Sequence, residues 1–247
     1  MKNNFVSNLP VINLYKKKSL RSGIDTQLLY GDNFKIIKKH IGWNKIRIKK
    51  DGYIGYIKNK KFSEPIKPNF KVSVLKARLF SKPSSKKKLK KFLPYESRLK
   101  IIKKNGKFGK FGKYWIKISD TKKISFKNKN PFKNIELFKN TKYLWGGKSY
   151  KGIDCSALVQ VFFNHNNKYC PRDSKDQEKY FKKKVKLKNI RKNDMIFWKG
   201  HVAIALSKNK LIHAYGPMKK VVVMDIKKTI ERIKRTANLK VTSIRRI

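Results

Sequence analysis

Acidic side chains are scarce in this chain of 247 residues: 14 Asp and Glu stand against 66 Lys and Arg, a formal charge of +52. An excess of that sign directs attention to nucleic acid and other polyanions. Yet the lysines are spread along the whole chain, and runs such as Lys86–Lys88 and Lys182–Lys184 hold only three residues. No RNA-binding motif is present, nor an interleaving of aromatic with basic residues. Lys, Asn, Ile and Phe are all abundant, as in AT-rich coding. The charge therefore implies salt-dependent, nonspecific association with polyanions and leaves the function open. Cysteine is nearly missing too. Cys155 and Cys170 are too few for a disulfide framework and lack metal-ligand spacing, so neither a metal nor another cofactor is expected. Long apolar runs are absent: none approaches the roughly 18–20 residues that span a bilayer. Met1 to Pro10 has no continuous apolar stretch and no small-residue cleavage site. The expectation is a cytoplasmic protein without signal peptide or membrane span.

What is present is a globular composition, with 39% hydrophobic and 12% aromatic residues, and length enough for two or three small domains. The first half repeats itself. Tyr30-Gly31-Asp32 followed by Lys35-Ile36-Ile37-Lys38-Lys39 returns 65 residues later as Tyr95-Glu96-Ser97 followed by Lys100-Ile101-Ile102-Lys103-Lys104. At the same offset Leu14-Tyr15 matches Leu79-Phe80. Trp43 aligns with Trp115 at an offset of 72, which implies about seven extra residues in the Gly-rich loop from Asn105 to Gly112. Alternating apolar positions punctuated by Gly and Pro describe short strands, hence two small all-β barrels. The ending Trp43-Asn44-Lys45-Ile46, then Asp51-Gly52-Tyr53-Ile54-Gly55-Tyr56-Ile57, resembles the bacterial SH3-like domain; the second copy has no such segment after Trp115. A polar, lysine-rich stretch closed by Pro131 reads as a linker. Beyond it, helical patterning near Asn134–Asn140 and after Cys155 gives way to strands from Asp194 to Val223, an α+β arrangement.

That last region carries a nucleophile and two candidate partners. Cys155 opens a helical apolar run, where unpaired amides and the helix dipole favour the thiolate. His201 begins the run His-Val-Ala-Ile-Ala-Leu, and His213 lies in Leu-Ile-His-Ala-Tyr, with Ser207-Lys208-Asn209-Lys210 as the turn between two strands. With an odd loop count the two imidazoles share a sheet face as diagonal neighbours, within side-chain reach. Cys155 is then the attacking group, His201 its base, and His213 the group that orients His201. The amide of Cys155 is one candidate oxyanion donor; no second donor is evident. His40 and His165 are assigned no partners and read as surface or core residues.

Several further motifs fall in order: Tyr143…Trp145-Gly146-Gly147, Asp154-Cys155-Ser156, Pro171-Arg172-Asp173-Ser174…Gln177, Asp194-Met195-Ile196-Phe197-Trp198, Gly200-His201 and Ile212-His213-Ala214. Together they resemble the NlpC/P60 cysteine peptidases, a compact papain-like family. Two departures are Ala157 and Asn193, where the family usually has glycine; Asn193 can occupy a left-handed turn. With the paired barrels, the chain is similar to the dipeptidyl-peptidase VI type, the γ-D-glutamyl-L-diamino acid endopeptidases.

The resemblance implies a chain of four parts: SH3-like barrels at 1–65 and 66–120, a linker at 121–132, and a papain-like α+β catalytic domain at 133–247. It implies a Cys155–His201–His213 triad that cleaves peptidoglycan stem peptides beginning with L-Ala, in wall recycling, through a thioester. Asp173 and Ser174 are associated with the free amine of the substrate, although Asp173 could equally cap the following helix. Asp32 and Tyr53, from the first barrel, are the nearest matches to an acidic residue and a tyrosine that complete the amine pocket. Asp154 and Ser156 line the D-glutamyl pocket. Two rival readings are a secreted wall hydrolase of the same chemistry and a basic scaffold protein with a vestigial site.

Overall fold

The structure, a computed structural model, describes residues 3–247. It is rich in sheet and poor in helix, and it divides into two compact units. The first runs to Lys127 and takes in Lys148–Tyr150 and His165–Asn167; the second comprises Asn128–Gly147, Lys151–Asn164 and Lys168–Ile247.

The first unit begins with six strands: β1 (Asn4–Val6), β2 (Val11–Tyr15), β3 (Ile24–Leu29), β4 (Asn33–His40), β5 (Trp43–Ile48) and β6 (Ile54–Lys58). They form one antiparallel sheet in the order β1-β4-β5-β6-β2-β3. Period-two alternation decides what goes inside. Ile46 and Ile48 join Ile12, Leu14, Leu28, Phe34 and Ile57 in the core, while Arg47 is exposed. A second β-module follows, built from β7 (Phe70–Val72), β8 (Lys76–Phe80), β9 (Lys88–Pro94), β10 (Arg98–Leu99), β11 (Lys103–Asn105), β12 (Phe108–Phe111), β13 (Tyr114–Lys117) and β14 (Thr121–Lys123). Its own core contains Val72, Leu79, Leu93, Leu99, Phe111 and Ile116.

The pairing register repeats between the modules. Phe5 lies opposite Phe34 as Phe70 lies opposite Leu99, and Ile12 opposite Leu28 as Ala77 opposite Leu93. Even a turn recurs: Gly31 N donates to Ser7 O at 2.9 Å and Glu96 N to Val72 O at 3.0 Å, with φ of 85° and 74°. The expected Trp43–Trp115 match is overturned. Tyr15 pairs with Tyr56 where Phe80 pairs with Trp115, and Trp43 faces Lys58 where Phe108 faces Lys117. Trp115 therefore stands in the place of Tyr56, and Phe108 in that of Trp43. The second copy has lost chain at the turn between these strands and gained none, because Phe111 is paired with Tyr114 across a two-residue turn. The proposed linker is corrected at its start as well: Thr121–Lys123 form β14, paired with β7.

Charged groups are buried within this unit. Asp32 Oδ2 accepts from Leu29 N at 2.8 Å, and its Oδ1 meets Lys50 Nζ at 2.7 Å. Lys50 also reaches Glu96 of the second module at 2.5 Å, and Arg98 joins Glu96 at 3.3 Å. Lys71 has no exposed surface; its ammonium donates to the carbonyls of Ile124, Phe126 and His165. Burial, with Arg98 nearby, lowers that amine to about 8. His165 is buried and stacked on Tyr95 with ring centres 4.6 Å apart.

The second unit holds α1 (Cys155–His165, its last residue counted with the first unit), α2 (Ser174–Tyr180) and α3 (Ile226–Ala237). Helix patterning near Asn134–Asn140 is realised as a single 3-10 turn, Ile135–Phe138. After the two-residue strands β15 (Lys148–Ser149) and β16 (Gly152–Ile153) come β17 (Lys183–Lys184), β18 (Met195–Trp198), β19 (His201–Ala205), β20 (Lys210–Tyr215), β21 (Lys220–Asp225) and β22 (Val241–Arg246). The last six form an antiparallel sheet ordered β17-β22-β18-β19-β20-β21. Helix α3 is capped by Asp225, which accepts from Lys228 N at 3.0 Å, and buries Ile226 and Ile233 in the core with Ile196, Trp198 and Leu211. Beside α1, Phe132, Phe138, Phe162, Phe163 and Phe181 make a chain of ring contacts. Asn193 adopts φ 74°, the left-handed turn foreseen for it. No helix among the described residues is long and apolar enough to cross a membrane.

Candidate active site

The entrance to α1 is built around Asp154. Its Oδ1 accepts from Ala157 N at 2.8 Å, capping the helix that starts at Cys155, and its Oδ2 accepts from Gly146 N at 2.9 Å. Gly146 makes that approach with φ 74°, a conformation glycine adopts without strain. Arg172 closes the other side with a two-pronged ion pair, Nη1 to Oδ1 at 3.1 Å and Nη2 to Oδ2 at 2.6 Å. Ser156 Oγ accepts from the same guanidinium at 2.9 Å, and Gln177 Nε2 donates to Ser156 O at 2.8 Å. Asp154 and Ser156 thus hold the nucleophile's loop, and all of Asp154, Ser156, Arg172 and Gln177 are buried.

Strands β19 and β20 bring the histidines to one face. Ile204 pairs with Ile212, a register that sets His201 and His213 diagonally, and His201 Nε2 lies 2.9 Å from His213 Nδ1. The other nitrogen of His213 lies 3.4 Å from Met224 Sδ, and Tyr215 stacks on the ring at 4.6 Å. Sulfur can only accept there, so His213 carries its proton on Nε2 and accepts at Nδ1 from His201 Nε2–H. His201 Nδ1 is then a free base. The Cys155 sulfur accepts a hydrogen bond from the backbone of Val202, the residue after His201.

The electrostatics reverse one expectation. Cys155 is buried, and burial together with the Asp154 carboxylate pushes its thiol up to about 12, against the pull of the Val202 amide and Arg172. The helix terminus does not produce a resting thiolate, because the carboxylate that caps it sits at the same place. Burial lowers His201 to about 4, partly opposed by Asp154, and burial with His201 beside it holds His213 well below its ordinary value. The resting pair is a neutral thiol and a neutral imidazole.

Sequence reading missed two participants. Met224 follows Val221-Val222-Val223 in β21 and bears no motif. Tyr143 belongs to the Tyr-x-Trp-Gly-Gly motif, but its role shows only in three dimensions. Its phenol is raised chiefly by burial, with the Asp154 carboxylate adding to it, so it stays protonated in the neighbourhood of Cys155. Asp173 occupies the N-cap position of α2 without a side-chain cap hydrogen bond and is exposed; Ser174 beside it is buried. Asp32 and Tyr53 lie in the first unit. Asp32 is taken up by Leu29 and Lys50, which offset its burial and hold it below the usual carboxylate range, and Tyr53 packs against the first module's core. Neither cysteine is in a disulfide, and no group of three or more His, Cys, Asp or Glu among the described residues could hold a metal.

Residues 140–238 match the NlpC/P60 family, and residues 14–62 match the bacterial dipeptidyl-peptidase Sh3 domain. Among curated proteins, the chain is 28% identical over 231 residues to gamma-D-glutamyl-L-lysine dipeptidyl-peptidase of Bacillus subtilis (strain 168), covering 84% of this chain and 77% of that one. It is 38% identical over 74 residues to dipeptidyl-peptidase 6 of Lysinibacillus sphaericus, a match that spans only 27% of that enzyme. The fold is that of an NlpC/P60 family protein from Bacillus cereus ATCC 10987, with a TM-score of 0.82, 19% identity and 99% of both chains covered. An NlpC/P60 endopeptidase from Photobacterium damselae subsp. piscicida superposes with a TM-score of 0.64 at 13% identity, over 98% of this chain and 70% of that one. The chain thus carries an NlpC/P60 domain, of the cysteine peptidase family of that name, behind a bacterial dipeptidyl-peptidase SH3 domain.

Proposed function

We propose that the chain hydrolyses the γ-D-glutamyl–diamino acid bond of free L-Ala-γ-D-Glu-diamino acid peptides, in the cytoplasm, as a step of peptidoglycan recycling. The observation that carries this reading is the His201–His213 contact, with Met224 selecting the tautomer, next to the strand amide that touches the Cys155 sulfur. His201 Nδ1 takes the thiol proton as sulfur attacks the carbonyl carbon. The oxyanion is met by the Cys155 N–H and the Tyr143 hydroxyl. Collapse expels the diamino acid as an amine, which receives the proton from His201 and leaves a thioester. Water, deprotonated by His201, then releases L-Ala-D-Glu and restores the thiol. Asp173 is the carboxylate kept for the substrate's ammonium, its exposure at the start of α2 being compatible with a ligand. The second β-module is read as a second SH3-like barrel, on the strength of the shared strand pairings.

Mass spectrometry of L-Ala-γ-D-Glu-L-Lys and its N-acetylated form tests this. Release of L-Ala-D-Glu from the free-amine peptide only, and not by Cys155→Ala, is the expected result. Cleavage of both peptides removes Asp173 from amine recognition, and cleavage of neither overturns the assigned reaction.

A further inference from the structure

A cleft of about 490 Å³ opens beside His201, lined among others by Lys199, Tyr215, Arg232, Ile233 and Leu239. His201 and Tyr143 border it, while Cys155, Asp154, Ser156, Arg172 and Ser174 do not, so it opens from the histidine end of the site. The group that protonates a departing nitrogen must touch it, so whatever is attached to that nitrogen extends along the wall to which His201 belongs. Two features of the cleft are chemical. Its floor includes the aliphatic Ile233 and Leu239, while Lys199 and Arg232 stand exposed at it with no acidic residue in the lining. Among the described residues neither cation forms an ion pair.

We infer that this cleft is the leaving-group subsite, and that Lys199 and Arg232 select a leaving fragment with a free carboxylate next to the scissile nitrogen. The inference rests on the reaction proposed above and deepens it. A fragment with an aliphatic arm and a terminal carboxylate fits the apolar floor and the cationic rim together. A fragment continued through an amide lacks the carboxylate on the carbon next to the scissile nitrogen, where the two cations would meet it. The enzyme is thereby tuned to peptides that end at the residue it releases.

The test compares L-Ala-γ-D-Glu-L-Lys with its C-terminal amide, in cleavage by the wild-type chain and in calorimetric binding to Cys155→Ala protein. Each exposed cation–carboxylate pair is worth a few-fold, so two give an acid-over-amide preference of roughly five- to tenfold. Arg232→Gln with Lys199→Gln is expected to bring that ratio close to one in both assays, and Arg232→Lys to restore part of it. Because the ratio is internal to each variant, a general loss of activity does not mimic the result. Equal affinity for acid and amide, or a preference that survives the double substitution, overturns the inference whether or not the peptide is cleaved. Binding that discriminates acid from amide through Arg232, with no cleavage by the wild type, sustains the subsite and overturns the assigned reaction instead.

Discussion

Cys155 and His201 store no charge before substrate arrives, and their pH behaviour follows from that. With His201 lowered to about 4 by burial, the base stays unprotonated well below the ordinary histidine range near 6.5. The acid limb of kcat/KM is therefore expected near pH 4 to 5, and a limb at 6.5 would instead mark an ion pair. Alkylation of Cys155 by iodoacetamide is expected to be slow at pH 7 and to rise about tenfold per pH unit towards 10, since the thiol lies near 12. A rate already at its plateau at pH 7 would mean a resting thiolate. The positions that meet in the candidate site were legible in the sequence because Cys155, His201 and His213 sit in separate ordered motifs. Their protonation was not. It depends on Asp154, whose capping role and charge oppose the helix dipole, and on Met224, which has no motif to announce it.

At the scale of the element, the N-terminus of α1 is the most dependent on its neighbours. Arg172 satisfies both oxygens of Asp154 and the hydroxyl of Ser156, and all three side chains are buried. Arg172→Ala leaves a buried carboxylate with neutral donors such as Ala157 N and Gly146 N but without its counter-charge, a loss of about 3–5 kcal/mol. Urea unfolding followed by circular dichroism measures it, and a shift below about 1 kcal/mol would show that Asp154 finds other donors. Element types were legible where alternation is regular, as in β5, whereas α3 carried no reading, because its apolar Ile226, Ile230 and Ile233 stand among lysines and arginines. Equivalence between strands was harder to read. Two tryptophans in similar chains invite alignment, yet cross-strand pairing places Trp115 with Tyr56, since both stand opposite the last residue of the second strand in their module. Likewise Thr121–Lys123 look like linker from composition, but a strand's backbone pairs regardless of what its side chains carry.

For the whole molecule, neutral histidines in the interior set the response to acid. His165, lowered to about 3 by burial and by the charges of Lys71 and Arg98, joins His201 and His213 as groups held neutral in the fold. In the unfolded chain they titrate near 6.5, so below that pH the unfolded state binds more protons than the native one. Stability is whole above pH 6.5 and drains away as pH falls towards the folded values, by about 1 kcal/mol per pH unit for each histidine. Urea unfolding between pH 7.5 and 5 reads this slope. A flat profile would place the three rings in contact with water.

The buried bridge from Asp32 through Lys50 to Glu96 also decides how the two modules can be handled as parts. At the equivalent turns one copy has glycine, whose missing side chain leaves room for the carbonyl of Arg98, and the other has glutamate, which supplies the bridge. At these turns the two modules are lock and key, one presenting space and the other a carboxylate. Neither can be excised or exchanged for the other without stranding a buried charge, so the pair can be recombined only as a single part.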